Sequence, residues 1–377
     1  MKKLFWIFIA SPVLFSARIW AQETVKDTVF LIPFADTVLL DEVVVKAHKT
    51  IPMNNRWSDL QPVDLVTVAG ANGNLYKALE TLPGTQIQGE SGRLLVRGGS
   101  SDETQTYIDG MHVLNPYTST AENIPARGRY SPFMFSGINL STGGHSQEYG
   151  EALSAVLPLE TKDNSRINKV GISPSTVGIG GGGNHAFRNA SLALNLDYQN
   201  LALYNKVYPG RIDFKKPYQM FSGATQFRYT PSGSSVFKIY VGYDRTDYSN
   251  YTDNNRYLFC LGENNVYLNS TFRTAISGGW EWFSGMAYSL FDRKVDGAVT
   301  EGDHWCEKQA ELHFKTKLSK KFHPTFRMDV GFESFLRWYE TRYSQVSVAD
   351  TKEISPTIEA VFGTVSYYPV ENLKAEL

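Results

Sequence analysis

From about residue 165 to the last residue, apolar and polar side chains alternate with a period of two, and no other feature narrows the fold as far. Leu192, Leu194, Leu196 and Tyr198 alternate with Ala193, Asn195 and Asp197, and Phe237, Ile239, Val241 and Tyr243 with Lys238, Tyr240 and Gly242. Leu312, Phe314, Thr316 and Leu318 oppose Glu311, His313, Lys315 and Lys317, while Trp280, Trp282, Met286, Tyr288 and Leu290 fill one face of another strand. Successive side chains of a strand point to opposite faces, so each segment offers one apolar and one polar face. A soluble sandwich has the same need, so the connections must arbitrate. Short turn signals near Arg188-Asn189 and at 231–234, 276–279, 319–324 and 368–372 alternate with longer polar links, roughly 199–218, 246–263, 293–303 and 342–355. A repeat of about 45 residues per hairpin, with short turns on one side and long loops on the other, predicts a barrel with lipid outside and water inside.

The alternation accounts for about ten strands, and the sequence stops inside a further one at Leu373 to Leu377. An open sheet edge in hydrocarbon leaves backbone N–H and C=O groups unpaired, so a membrane barrel must close. A fragment of a longer barrel, or a truncated reading frame, is therefore expected. A barrel of about 22 strands at this pitch would need on the order of 300 further residues.

Composition removes other classes. The 37 basic and 38 acidic residues leave a net charge of −1, which gives no whole-protein attraction for nucleic acid. No run of about 18 apolar residues follows the first 20, which excludes a multi-span helical membrane protein and leaves a barrel open. The 21 Tyr, 22 Phe, 7 Trp and 31 Gly suit aromatic girdles and tight turns. At the N-terminus, Lys2 and Lys3 precede LFWIFIA, and the stretch ends in small residues around Ala21 after interruption by Pro12 and Arg18. That reads as a signal peptide of residues 1–21, cleaved before Gln22 for export to the envelope. Cys260 and Cys306 are too few for a disulfide scaffold, and both fall on the predicted outer side, where a loop-pinning disulfide stays open. Neither lies at metal-ligand spacing, so no zinc site is expected, and no other metal site or cofactor is assigned.

Between the leader and the alternating strands lie two further regions. Residues 22–50 are polar and extended, and residues 51–162 mix helix and strand signals. LYKALETL ends at Pro83-Gly84, a helix stop, which predicts a short helix at about 73–82. QIQ, RLLVRG, TQTYIDG, GINLSTG and AVLPLETK read as short strands separated by turn glycines, giving a small α+β globule.

In this order and spacing, DEVVV at 41–45, LYKALETLPG at 75–84, LLVRGG at 94–99, TYIDGMHV at 106–113 and INLSTGGHSQEYGEALSAVLPLETK at 138–162 carry a resemblance. Residues 51–162 resemble the plug domain of TonB-dependent outer-membrane transporters, and 163–377 look like the first part of their barrel. The barrel part rests on pattern rather than motif. Some relatives have an extra small β-domain before the energy-coupling box, whereas here only about 20 residues separate the cleavage site from Asp41. The fold implied is an α+β plug domain inside a transmembrane antiparallel β-barrel that is incomplete in this sequence.

The resemblance assigns Asp41, Glu42, Val43, Val44 and Val45 as the TonB box. Its extended, β-branched segment would add a strand to the sheet edge of a TonB-type energy-transducing partner. The alternative is an ordinary plug strand. Arg97, Gly98, Gly99, Asp109, Gly110, Gly143, Gly144, Tyr149 and Gly150 are expected to be structural. The glycines serve turns and close approaches, and a buried Arg and Asp would pair with each other or with the barrel wall. Ligand contacts are expected on the outward plug loops at 100–105 and 112–129, with Asp102, Glu103, Asn115, Tyr117, Arg127, Arg129 and Tyr130 as candidates, Asn123 beside them, and solvated loop or wall packing as the competing role for each. An aromatic and Arg set suits an anionic chelate or a sugar ring.

The function implied is energy-coupled import of a scarce extracellular ligand across the outer membrane of a Gram-negative cell. A ferric siderophore or cobalamin-like chelate stands ahead of an oligosaccharide or peptide, and a surface lipoprotein partner would favour a glycan. A catalytic or adhesive outer-membrane barrel competes, but neither needs a plug or a box, and no catalytic residue is assigned. Asp303 and His304 are strand neighbours that point to opposite faces, and Gly180–Gly183 lack the Lys-Ser/Thr of a phosphate loop.

Overall fold

The computed structural model describes residues 57–60, 62, 67–71, 73–87, 91–119, 125–162, 168–209, 213–251, 257–323, 325–345, 348–370 and 373–376. Contacts divide the chain into residues 1–51 and 52–377. The leader, the extended segment and the DEVVV box at 41–45 lie outside the described residues.

An inner domain comes first. It comprises β1 (Trp57–Leu60), α1 (Leu75–Leu79), β2 (Thr85–Ile87), β3 (Leu94–Val96), β4 (Thr104–Ile108), β5 (Met111–His112), β6 (Phe135–Ser141) and β7 (Ala155–Thr161). Five strands form one sheet in the order β1-β6-β7-β4-β5, with β4 parallel to β7, and β2 pairs with β3. The α1 helix is shorter than the sequence signal. Asn74 caps it by accepting from the Tyr76 N–H at 3.2 Å, and the chain turns out before Gly84, whose φ is 82°. The apolar face of α1, from Leu75, Tyr76, Ala78 and Leu79, packs on Leu94, Val96, Ile138, Leu157 and Leu159, and this cluster is the core of the domain.

Around that domain runs a second, antiparallel sheet: β8 (Lys169–Ser175), β9 (Gly178–Ala186), β10 (Ala190–Asn200), β11 (Phe214–Ser232), β12 (Ser235–Tyr251), β13 (Leu258–Ile276), β14 (Trp280–Asp296), β15 (His304–His323), β16 (Phe326–Gln345), β17 (Val348–Ile354), β18 (Thr357–Val370) and β19 (Leu373–Glu376). Neighbours pair in sequence order from β8 to β19, with β17 and β18 sharing the two ends of β16. Among the described residues β8 and β19 are not joined, so the sheet is an open wall. A short helix, α2 (Ala202–Val207), sits in the link after β10.

Burial is inverted across this wall. Leu192, Leu194, Leu196, Val241, Leu268, Met286, Phe314 and Val330 are exposed on the outside. Asn269, Glu311, His313, Lys315 and Glu333 are buried inside against the inner domain. That is the arrangement of a lipid-facing barrel, where the outer face meets hydrocarbon.

Among the described residues the short turns at 187–189, 233–234 and 277–279 fall where the alternation puts them, while 319–323, read as turn, are the end of β15. The links on the other side differ from expectation. Strands β11 to β16 run 17 to 20 residues, so most of what reads as polar loop is strand. The stretch 342–355 is the end of β16 and all of β17. About 9–11 tilted residues suffice to cross a bilayer, so these hairpins stand well above it, and there the apolar residues Tyr218, Met220, Tyr248, Leu261 and Val295 are buried in a cluster of their own, which breaks the outward period of two.

Gly180–Gly183 lie inside β9. Cys260 and Cys306 are both free. Cys260 pairs with Asp296 and Cys306 with Lys294, so the whole of β14 separates them. Two strand spacings put their Cα atoms roughly 10 Å apart or more, beyond the reach of about 7 Å that a disulfide allows.

Candidate ligand cavity and the contacts that seat the inner domain

Two kinds of side chain line the space between inner domain and wall: those that hold the domain in place and those that leave room. The holding set begins at the β4–β5 hairpin. Asp109 and Gly110 have φ of 50° and 85°, positive at both central positions of a two-residue turn, as a type I′ hairpin requires. The Asp109 carboxylate accepts from the Thr161 N–H at 3.1 Å and from Lys238 Nζ of the wall at 2.8 Å. Of the two pairings open to Asp109, it makes the one with the barrel wall through Lys238 and not the one with Arg97. Arg97 is exposed with φ of 50° and, with Gly98, makes the turn after β3. Gly99 is needed for close approach, since a Cβ there would sit 2.7 Å from the Ser154 Cβ. Tyr149 packs edge-on to Tyr107 at 4.9 Å, and the Tyr107 hydroxyl donates to the Gly150 carbonyl at 3.1 Å. Gly143 and Gly144 turn the chain after β6 with φ of 128° and 67°.

Arg129 belongs to the holding set. Its guanidinium donates to Asp244 of β12 and Glu263 of β13, and to the Asn115 carbonyl at 3.1 Å. Asn265 donates to Asp244 at 3.1 Å, and the Ser119 hydroxyl donates to Glu263. Burial works against the Arg129 charge, but the two carboxylates outweigh it and raise its pKa further. Tyr130 is buried among Tyr240 and Tyr267 of the wall, with ring centroids 6.2 Å and 6.0 Å away. Burial drives its phenol well above the ordinary 10.0, so it stays neutral.

What remains open is a cavity of about 570 Å³ on the long-hairpin side. Its floor is the chain at 101–102, 104–106 and 112–119, and its wall comes from Phe291 and Arg293 of β14, Glu307 and Gln309 of β15, and Arg337 and Tyr339 of β16. Of the candidates, Asp102, Asn115 and Tyr117 line it. Glu103, Arg127, Arg129 and Tyr130 do not, and Asn123 lies outside the described residues. Asn115 donates to Gln309 at 3.0 Å. Tyr117 packs on Tyr76 at 4.2 Å under the Arg93 guanidinium, and burial raises its phenol well above 10.0.

Each lining arginine already has a carboxylate: Arg93 has Asp102 at 3.6 Å, Arg293 has Glu307, and Arg337 has Glu311 at 2.6 Å and Glu151 at 3.0 Å. The cavity is therefore polar, rich in directed donors and acceptors, and internally charge-compensated. Gln105 and His112 lie in the two loops expected to meet ligand, though neither is among the candidate contacts, and Arg293, Glu307, Gln309, Arg337 and Tyr339 are not among the residues picked out from sequence. Those on the wall sit on the polar face of the alternation, but only the register brings them level with the inner domain. Among the described residues no group of His, Cys, Asp and Glu is placed to hold a metal ion.

Residues 64–156 match the family model of the TonB-dependent receptor plug domain. No curated protein matches the sequence. Among solved structures, the copper transporter OprC aligns with a TM-score of 0.64 at 11% identity, covering 84% of this chain and 54% of that one. The siderophore receptor PirA from Acinetobacter baumannii aligns at 0.61 and 11% identity, covering 84% and 55%. The ferric enterobactin receptor PfeA from Pseudomonas aeruginosa gives 0.59 at 12% identity, covering 85% and 56%. These likenesses concern the fold, and the chain spans about half the length of each.

Proposed function

We propose that this chain, which carries the plug domain of the TonB-dependent receptors and the fold of their barrel, binds a scarce ligand from outside the cell and passes it inward by energy-coupled rearrangement of the plug. The cavity carries this reading. It is bounded by plug loops on one side and by barrel strands on the other, so a ligand seated there touches the element that must move. Phe291, Tyr117 and Tyr339 offer rings, and Asn115 and Gln309 offer directed amides.

Asp41 to Val45 would be the coupling box, adding a strand to the sheet of a TonB-type partner. The chain would work in the outer membrane of a Gram-negative cell after removal of residues 1–21, with residues 51–162 as plug and 163–377 as wall. The cargo named for the structural neighbours, copper and ferric enterobactin, supports a metal or ferric chelate, including a cobalamin-like one. A second reading, an oligosaccharide or peptide, is favoured by one observation: with Arg93, Arg293 and Arg337 each paired to a carboxylate, this half of the mouth offers hydrogen bonds rather than uncompensated positive charge. A surface lipoprotein partner would accompany a glycan.

The test is energy-dependent uptake in cells expressing the full-length receptor, with a ferric catecholate and a mixed neutral oligosaccharide as probes. Val44→Pro removes a main-chain donor from the box, so it should abolish uptake while outer-membrane assembly stays normal. Normal uptake by that variant would remove the box assignment. Proton-motive-force-independent uptake would remove the coupled mechanism altogether.

A further inference from the structure

The contact between the β4–β5 hairpin and β15 contains two histidines in different bonding roles. The backbone N–H of His112 donates to Nδ1 of His313 at 3.1 Å, and both residues are buried. A backbone amide can only donate, so His313 Nδ1 carries no proton while this bond exists. The His313 ring is held flat against Phe335 of β16, with centroids 4.1 Å apart and planes at 10°. Its other nitrogen, Nε2, is buried without a hydrogen-bond partner, and so is Oε2 of Glu333, 3.7 Å away.

Titratable groups face His313 from the plug, from β15 and from β16. From the plug come His112, whose Nδ1 meets Glu311 at 2.6 Å and whose Nε2 meets the Gln105 amide oxygen at 2.7 Å, and the segment bearing Glu148 and Glu151. The flanking residues on the same face of β15 are Glu311 and Lys315, and β16 adds Glu333 and Arg337. From β14 comes Ala287, uncharged. Of the carboxylate oxygens in this set, only Glu333 Oε2 is buried without a hydrogen bond, and the Lys315 ammonium faces it at 3.8 Å.

We propose that His313 is a proton-operated latch on the β4–β5 hairpin: neutral, it holds the His112 amide, and protonated, it turns to Glu333 and releases the hairpin. A proton on Nδ1 would set two N–H groups head to head across 3.1 Å, and the positive charge it brings draws the Nε2–H, which the neutral ring already carries, towards the Glu333 carboxylate 3.7 Å away. Gln105 and His112 line the cavity, so release would reshape its floor. The latch rests on the transport reading only for its consequence, a plug that loosens in acid. It is tested without ligand or energy supply, so its failure and the failure of that reading are separate results.

The measurement is amide hydrogen exchange of segment 104–113 in the full-length protein in outer-membrane vesicles, corrected for intrinsic rates, at about pH 7.5 and about pH 5, which span the histidine range. The loss of one hydrogen bond predicts about 3- to 10-fold less protection in acid. His313→Asn supplies an acceptor that does not titrate, and should keep protection at neutral pH and erase the acid loss. Glu333→Gln keeps the histidine but removes the waiting anion, so the acid transition should move to lower pH, and it serves alone if His313→Asn fails to assemble. Equal protection at both pH values in the unaltered protein, acid loss that survives His313→Asn, or an unmoved transition in Glu333→Gln would each overturn the latch.

Discussion

Arg129 shows what one residue can do when its charge is taken out of water and answered at once. Its side chain is 1% exposed, between the carboxylates of Asp244 and Glu263. Removing one member of such a cluster strands the others, so Arg129→Met should destabilise the seated plug by about 3–5 kcal/mol, read by urea unfolding in detergent. Adding Asp244→Asn and Glu263→Gln should recover most of that loss, because the stranded charges go with it. Gly99→Ala tests close approach rather than charge. Its Cβ has no room beside Ser154 and Glu103, so a cost of about 1–3 kcal/mol is expected in the same assay. Sequence alone marks Arg129 as an unusual loop cation and Gly99 as part of RGG. It cannot show that Arg129 turns from ligand to wall, because Asp244 and Glu263 lie more than a hundred residues away.

At the level of elements, turns and hairpins obey local rules closely. Asp109-Gly110, where the sequence places a turn glycine, makes a type I′ turn, and the strands around it follow from β-branched and aromatic content. The 297–303 connection is a second local device. Asp303 accepts from the N–H groups of Ala298 and Val299 at 2.8 Å and of Thr300 at 3.1 Å. Burial pushes its carboxyl up, but these donors outweigh that and hold it below its ordinary 3.8. A carboxyl depressed on folding stabilises the loop above the unfolded value and loses that contribution as pH falls through the lower folded value. Exchange protection of residues 298–300 should therefore be flat at neutral pH and collapse only below about pH 4. Asp303→Ala should lose it at every pH, by about 1–3 kcal/mol. Strand length, by contrast, is not legible locally. Residues 244–251 lose the outward apolar alternation because that part of β12 stands beyond the lipid and buries Tyr248, and only pairing with β13 shows it to be strand.

The whole molecule is organised by two solvents. Outside, Leu194 is 44% and Phe314 41% exposed, and inside, Glu311 and Lys315 are each 1% exposed. Phe314→Arg should thus cost about 2–4 kcal/mol in folding into lipid vesicles if it sits near mid-bilayer depth, while a like change on the exposed β17 strand should cost nothing measurable. Equal costs at both positions would mean that the outer face does not meet hydrocarbon. The alternation, most of the turn spacing, the plug strands and the short helix were readable from residue order, because each depends on neighbours a few positions apart. Which polar residues face the plug, which arginines are already paired, the distance between Cys260 and Cys306, and the bond from His112 to His313 were decided only by tertiary structure. Those contacts join residues of widely separated segments, and they are set by strand register and by the fit of one domain inside another, where burial makes an unanswered charge too costly to keep.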